Sequence, residues 1–264
     1  MDLQLRNRTA FISGSTTGIG YAVARVLVRE GATVILNGRT QEKLGLAVRQ
    51  LQDEFPKETI LGLPADFSKV SEVERLLKKL PEIDILVNNV GIYRSASFFE
   101  ATDDDWQEQF EINVMSGVRL SRTILPRMMA NNWGRILFIS SECATLVPGD
   151  LIPYSMTKTA LLAVSRGLAQ LTKGTGVTVN SVLPGSTLSD GAEQFLENTA
   201  RKEGKTKDEI ASAFFSEVRT SSLLQRFAGL DEVANTVAYL ASPLSSATNG
   251  AAIKVDGGSM GGIL

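Results

Sequence analysis

The chain has 264 residues, 43% hydrophobic and 21% charged, with a formal net charge of -2. This is the ordinary balance of a soluble globular protein, and it excludes a basic field built for nucleic acid or anionic lipid. Histidine is absent and Cys143 is the single cysteine. Ser-His-Asp and Cys-His hydrolysis, His-ligated metals, cysteine-cluster zinc and internal disulfides are therefore excluded, and any acid-base chemistry falls to Asp, Glu, Lys or Tyr.

The first residues, MDLQLRNRTAFIS, hold no basic stretch followed by an apolar run of leader length. No window reaches the roughly 18 apolar residues of a membrane span, so a cytoplasmic protein that binds neither membrane nor nucleic acid is expected. In chain order, short apolar runs predict strands over 9–13, 33–37, 60–65, 83–87, 135–140, 177–183 and 251–255. Amphipathic runs predict helices over 18–30, 41–54, 70–80, 103–130, 153–172 and 231–241. Strand–helix alternation implies an α/β fold: a doubly wound parallel sheet of about seven strands with helices on both faces, in one domain over 1–264. Ligands of such sheets bind at the carboxyl ends of the strands.

One segment breaks the rhythm. Between Gly185 and Arg226 no strand is predicted, and two amphipathic runs lie over 191–202 and 206–219. So long a segment inside a compact domain is commonly functional, and it reads as a helical substrate flap at about 186–225; a surface insertion is the plain alternative.

Residues 13–20 read SGSTTGIG, directly after the first strand and at the start of the first helix. Gly14, Gly18 and Gly20 let the backbone turn sharply and approach a pyrophosphate, and the helix start offers free N–H groups and positive potential. Ser15, Thr16 and Thr17 add hydroxyl donors. Such turns also serve packing alone, but the position in the first strand–helix unit favours a nucleotide.

The spacing resembles the TGxxxGxG of the short-chain dehydrogenase/reductase family, with Ser13 in place of Thr. The resemblance continues along the chain from Leu3 to Gly258. Residues 88–91 read NNVG where the family has Asn-Asn-Ala-Gly, and 154–158 carry its Tyr-x-x-x-Lys as YSMTK. Ser141 stands 13 residues before Tyr154, Asn113 lies in FEINVMSG, Pro184-Gly185 follows the sixth strand, and VDGG occupies 255–258. The resemblance implies a Rossmann fold and hydride transfer between a nicotinamide and a carbonyl or secondary alcohol, with Asn113, Ser141, Tyr154 and Lys158 as the catalytic set. It implies cofactor contacts from Gly14 through Gly20 (Ile19 included), Asp66 and Phe67 near the adenine, and Asn88 and Gly91 beside the ribose. Further contacts fall to Tyr154, Lys158, Pro184, Gly185, Thr187 and Ser189. Asn113 is expected to hold a water that passes protons to Lys158, and no metal is needed. Read singly, Asp66 is equally a helix cap, Ser141 a strand end, Asn113 a buried amide and Lys158 a solvated charge.

Tyr154 and Lys158 are four apart on a helix and share a face. Tyrosine, with a pKa of about 10, is a poor base. An ammonium ~5 Å away is expected to lower it by about 2 units. Where NAD-binding relatives carry an acid after the second strand, this chain has Gly38 followed by Arg39. That exchange removes a carboxylate that would repel a 2′-phosphate and adds a guanidinium that could grip one, so NADP(H) is expected over NAD(H). Thr17 stands where the family often has a second basic residue.

The substrate is expected to be an uncharged or partly apolar ketone, aldehyde or alcohol. Its site mouth would comprise Ile92, Tyr93, Glu142, Cys143, Leu146, Val147 and Ile152, with Phe195, Leu196, Phe214 and Phe215 from the flap; plain packing of the flap helices is the alternative for those four. A 3-oxoacyl-acyl-carrier-protein reductase is the competing reading. Such enzymes need basic residues near the site mouth to dock an acidic carrier, and Asn132 and Thr175 occupy positions that are basic in them. A nucleotide-binding sensor without catalysis is a further alternative, weakened by the presence of both Tyr154 and Lys158. The resemblance also implies a homo-oligomer, dimer or homotetramer, assembled through the two long helices.

Overall fold

The computed structural model describes residues 2–262. Seven parallel strands form one sheet: β1 (Thr9–Ile12), β2 (Thr33–Gly38), β3 (Ile60–Pro64), β4 (Ile85–Asn88), β5 (Gly134–Ile139), β6 (Val177–Pro184) and β7 (Ala252–Val255), in the order β3-β2-β1-β4-β5-β6-β7. Each predicted strand falls within two residues of its observed place, because a sheet covered on both faces reads as unbroken apolar runs. Residues alternate between the faces along each strand. Ala10, Ile12, Ile85 and Val87 join the core under α1 (Gly18–Arg29), α2 (Gln41–Glu54) and α10 (Leu230–Ala241). Phe11, Leu86, Ile136 and Phe138 join the opposite core under α3 (Val70–Lys79), α5 (Ser116–Ala130) and α7 (Ile152–Leu171).

The strand order reverses between β1 and β4, which opens a crevice at their carboxyl ends. The chain places its glycine turn there. Ser13 Oγ accepts from Asn89 N at 3.0 Å and Val90 N at 3.1 Å, and Asn89 Nδ2 donates to Ser13 O at 3.0 Å and Gly14 O at 2.8 Å. Gly14 and Gly18 adopt left-handed φ of 61 and 59 degrees, which glycine alone holds without strain.

The helix predicted over 103–130 is interrupted. It runs as α4 (Asp103–Phe110), a π-helical turn Glu111–Met115, and then α5. Asn113 sits in that turn, as functional residues often do in such insertions. A short α6 (Cys143–Leu146), not foreseen from the sequence, follows Ser141 and ends at Val147 with left-handed φ of 45 degrees. The segment after β6 is helical as expected: α8 (Asp190–Glu203), α9 (Lys207–Ala213) and a π-helical turn Phe214–Val218. Leu196, Ala200 and Ile210 form a small core of its own beneath the helices. Among the described residues no helix is long and apolar enough to cross a membrane.

A Cβ on Gly20 would lie 2.5 Å from both Gly14 O and Asn89 Nδ2. Gly20→Ala is therefore expected to cost about 1–3 kcal/mol and to lower Tm by roughly 2–4 °C per kcal/mol. Gly149→Ala, at a position where a Cβ meets nothing within 4 Å, serves as the control. Equal melting temperatures in thermal denaturation of the two variants would contradict this packing.

Candidate active site

The crevice holds two adjoining cavities. One, of about 510 Å³, runs from Gly14, Thr16 and Thr17 past Gly38 and Arg39 to Asp66 and Phe67. The other, of about 480 Å³, is lined by Ser141, Tyr154, Lys158, Pro184 and Gly185 on the sheet side and by Phe195, Phe214 and Arg219 from the flap segment. Asn89, Gly91, Ile92 and Tyr93 border both. Thr187, Ser189 and Ile19 border the second, so it too reaches the start of α1.

The dinucleotide expected from the sequence finds matching chemistry in the first cavity. The first turn of α1 contains no acidic residue, and its N-cap Thr17 makes no side-chain capping bond, so its N–H groups are left for an anion. Beside Gly18 a Cβ would meet nothing within 4 Å. Burial pulls Asp66 upward, but hydrogen bonds from Ser68 and the positive charge of Lys69 and Arg39 outweigh it and hold the carboxyl below its ordinary value. Asp66 thus remains an acceptor at the cavity rim, while its backbone N–H donates to Glu72.

Two residues expected to contact the cofactor have side-chain partners within the protein. Asn88 is buried with its amide toward Ser121, 3.4 Å away. Consecutive residues of a strand face opposite sides, so Asn89, which the pattern did not single out, is the one at the crevice. Ser15 is also buried, its hydroxyl donating to Ile12 O at 2.8 Å and its N–H donating to Asn37 O at 2.8 Å. It ties the turn to β2 and borders neither cavity. The hydroxyls of Thr187 and Ser189 likewise have local partners, Gly185 O and the N–H of Ala192.

The second cavity brings Ser141, Tyr154 and Lys158 together. Cys143 N donates to Ser141 Oγ at 3.1 Å, which leaves the serine proton free for another acceptor. Lys158 Nζ donates to Ile139 O at 2.9 Å, lies 5.5 Å from the Tyr154 ring centroid, and its residue is only 4% exposed. Burial lowers the ammonium to about 8. Burial likewise pushes the Tyr154 phenol up from its ordinary value, with Cys143, Tyr93 and Glu142 adding to the rise and a hydrogen bond with Ser141 opposing it. The lowering expected from Lys158 is thus overturned: desolvation of the ring outweighs an ammonium that points to a backbone carbonyl. The Tyr154 phenol keeps its proton in the free protein.

Asn113 donates both amide protons, to Ile92 O at 2.8 Å and Thr157 Oγ1 at 3.0 Å, and accepts from Ile92 N at 2.7 Å. One lone pair of its carbonyl oxygen is left for a water. Asn113 and Lys158 flank Gly91, where a Cβ would lie 3.3 Å from Lys158 Nζ.

Around this centre the expected apolar wall is thinned. Phe195 and Phe214 border the cavity, but Leu196 belongs to the flap core and Phe215 is buried against Phe214 and Phe227. Leu146, Val147 and Ile152 stand outside the lining, where Leu151, Phe227 and Ala192 take part instead. Arg219 was not foreseen either: a lone arginine at the end of an amphipathic run carries no sequence signal. Asn132 and Thr175, expected near the mouth, precede β5 and β6 and so lie at the amino edge of the sheet, opposite the site; Gly176 N donates there to Asn132 Oδ1 at 2.8 Å. Among the described residues no group of three or more His, Cys, Asp or Glu side chains could hold a metal.

Residues 14–260 match the family model described as enoyl-(acyl carrier protein) reductase. The chain belongs to the short-chain dehydrogenase/reductase family. It is 47% identical over 261 residues to the uncharacterized oxidoreductase YvrD of Bacillus subtilis, covering 98% of both proteins. It is 30% identical over 256 residues to the 3-oxoacyl-[acyl-carrier-protein] reductase FabG of Escherichia coli, covering 97% of this chain and 98% of that one. The structure of L-sorbose reductase from Gluconobacter frateurii, complexed with NADPH and L-sorbose, superposes with a TM-score of 0.93 at 30% identity over 100% of both chains. The protein is thus an oxidoreductase of the short-chain dehydrogenase/reductase family, with the family's seven-stranded sheet.

Lys158 loses its proton as pH rises through about 8. Binding of a nicotinamide dinucleotide by the free short-chain dehydrogenase/reductase is expected to weaken above that pH, because a neutral amine gives up its charge and one of its three donors. A fluorescence titration that gives the same Kd at pH 7 and pH 9 would refute the assignment.

Proposed function

We propose that the protein is an NADP(H)-dependent reductase of carbonyl compounds, reversible to the secondary alcohol, with Tyr154 as the proton donor. The observation that carries this is the convergence of the hydrogen-bonded hydroxyls of Tyr154 and Ser141 on a cavity continuous with the α1 N-terminus. When bound, the nicotinamide supplies or accepts the hydride. Tyr154 gives its proton to the substrate oxygen as negative charge builds there, and Ser141 donates a hydrogen bond to the same oxygen. Lys158, fixed by Ile139 O beside the ring, favours the phenolate left behind. Asn113 acts by position, tying Ile92 to Thr157, the residue before the lysine.

The segment over about 186–225 is assigned as the flap that covers the substrate and excludes water, supported by its contribution of Phe195, Phe214 and Arg219 to the cavity. An apolar cavity of about 700 Å³ between Leu125, Pro126 and Met129 of α5 and Val164, Leu168 and Leu171 of α7 supports assembly with a further copy of the chain. Replacing Tyr154 with Phe keeps the ring packing and removes the proton. It is expected to lower kcat by about 10²–10⁴-fold while NADPH affinity stays within a factor of about three. More than about a tenth of wild-type kcat in Tyr154→Phe would refute the role.

The NADP(H) assignment rests on Arg39, which makes no ion pair among the described residues and borders the same cavity as Thr16, Gly38 and Asp66. A charge-assisted contact to a phosphate is worth ~1.5–3 kcal/mol, roughly 10–150-fold in affinity. Reversal toward NAD(H) needs an acid at position 38, but a Cβ there would lie 2.4 Å from the Thr16 methyl. Gly38→Asp/Arg39→Ile is therefore expected to bind both cofactors weakly, and adding Thr16→Ser, which removes that methyl, to reverse the preference. kcat/KM measured with NADPH and NADH decides; a wild type that uses NADH as well as NADPH is the refuting result.

A further inference from the structure

The catalytic cavity contains an ion pair that the hydride-transfer chemistry does not use. Arg219, at the end of the flap, donates from Nε to Glu142 Oε1 at 2.9 Å, and the side chains are 14% and 4% exposed. Ser186 Oγ donates to the same carboxylate oxygen at 3.3 Å. The other oxygen, Oε2, is buried with no hydrogen-bond partner among the described residues. The guanidinium has five N–H groups. Besides the one on Glu142, only a long contact of 3.4 Å from Nη1 to Val218 O is made among the described residues. Its plane lies 5.7 Å from the Phe214 ring centroid, inside the cavity wall.

A buried carboxylate oxygen without a donor is costly, and the half-buried guanidinium beside it has idle N–H groups to offer a ligand. Packing does not require either: an apolar pair would close this wall more cheaply. The two deficits are complementary, since one lacks a donor and the other lacks acceptors. A hydroxyl group supplies both from a single oxygen. A carboxylate ligand would meet Glu142, a cationic ligand would meet Arg219, and an alkyl chain would leave both deficits in place. The pair is neutral as a unit, so it favours a neutral ligand with several hydroxyls.

We propose that Glu142 and Arg219 are the specificity-determining pair of the site and that the substrate is a polyhydroxylated ketone or the matching polyol, not an alkyl ketone. This rests on the reading of the cavity as the substrate site of a carbonyl reductase. Glu142 directly follows Ser141 and its N–H donates to Pro184 O at 2.8 Å, so the carboxylate is fixed relative to the reacting oxygen. Arg219 is carried by the flap, so reading the hydroxyls and covering the substrate are one event.

NADPH oxidation is measured with three ketohexoses (fructose, sorbose and tagatose) and with 2-hexanone, a ketone of the same chain length. At least one ketohexose is expected to exceed 2-hexanone in kcat/KM by about 100-fold or more, because a site built around hydroxyls rejects analogues that lack them. Glu142→Gln and Arg219→Met are each expected to lower kcat/KM for that ketohexose by at least about 10-fold, while 2-hexanone changes by less than about 3-fold. Arg219→Lys is expected to recover part of the loss, and NADPH Kd stays near wild type in all three variants, while Tm falls in Arg219→Met, which leaves the buried Glu142 carboxylate without its cation. A wild type that prefers 2-hexanone overturns the proposal and leaves the reductase reading intact. So do variants in which both ketones fall together, the mark of a purely structural pair, or in which neither falls. No NADPH oxidation with any of the four compounds, in protein shown to bind NADPH, overturns both readings.

Discussion

Ser13 and Asn89 hold the carboxyl ends of β1 and β4 together at the point where strand order reverses, and the site is built outward from that junction. Four hydrogen bonds converge on the pair. They set the glycine turn against the NNVG segment closely enough that Gly20 has no room for a Cβ. The start of α1 is thereby aimed into the crevice, and Gly91 is held between Asn113 and Lys158. Loss of this brace would separate the cofactor groove from the proton-transfer groups, although both cores would survive beneath it.

The absence of histidine gives the proton chemistry its form. A tyrosine replaces it only where the surroundings settle when the phenol holds its proton. Burial keeps Tyr154 protonated in the free protein, and the same burial brings Lys158 down to about 8. In the proposed reaction this pair suits donation: the phenol has its proton, and the neighbouring cation favours the phenolate once that proton has gone. The π-helical turn at Glu111–Met115 serves this arrangement by turning Asn113 toward Ile92 and Thr157.

The helical segment after β6 adds a different physics to the cavity. Its own small core of Leu196, Ala200 and Ile210 keeps it ordered as a unit. Residues that would have made the cavity uniformly greasy, Leu196 and Phe215, are consumed in that packing. What the flap presents instead is two phenylalanines and a guanidinium, facing a carboxylate on the loop after β5. Such a cavity is amphiphilic, with ring faces for C–H surfaces and an ion pair for hydroxyls.

Much of this was legible in the linear chain. Apolar runs bounded by turns located the seven strands, and the spacings of Gly14, Gly18 and Gly20, of Asn113, Ser141, Tyr154 and Lys158, and of Gly38 and Arg39 marked the site, because these are local features repeated at fixed intervals along the backbone. What the sequence could not determine was decided by which way side chains face and by what lies behind them. Asn88 and Asn89 are equivalent in the chain, but strand alternation sends one into the core and the other to the crevice. Ser15 reads as a phosphate donor until the fold commits its N–H to Asn37 O of β2 and its hydroxyl to Ile12 O of β1. The shift of Tyr154 depends on burial, which has no linear signature, and it reversed the sign expected from Lys158 alone. Glu142 and Arg219 are 77 residues apart; only the return of the chain over the carboxyl edge of the sheet makes them neighbours, and only the burial of the Glu142 carboxylate gives its unmet hydrogen bond consequence.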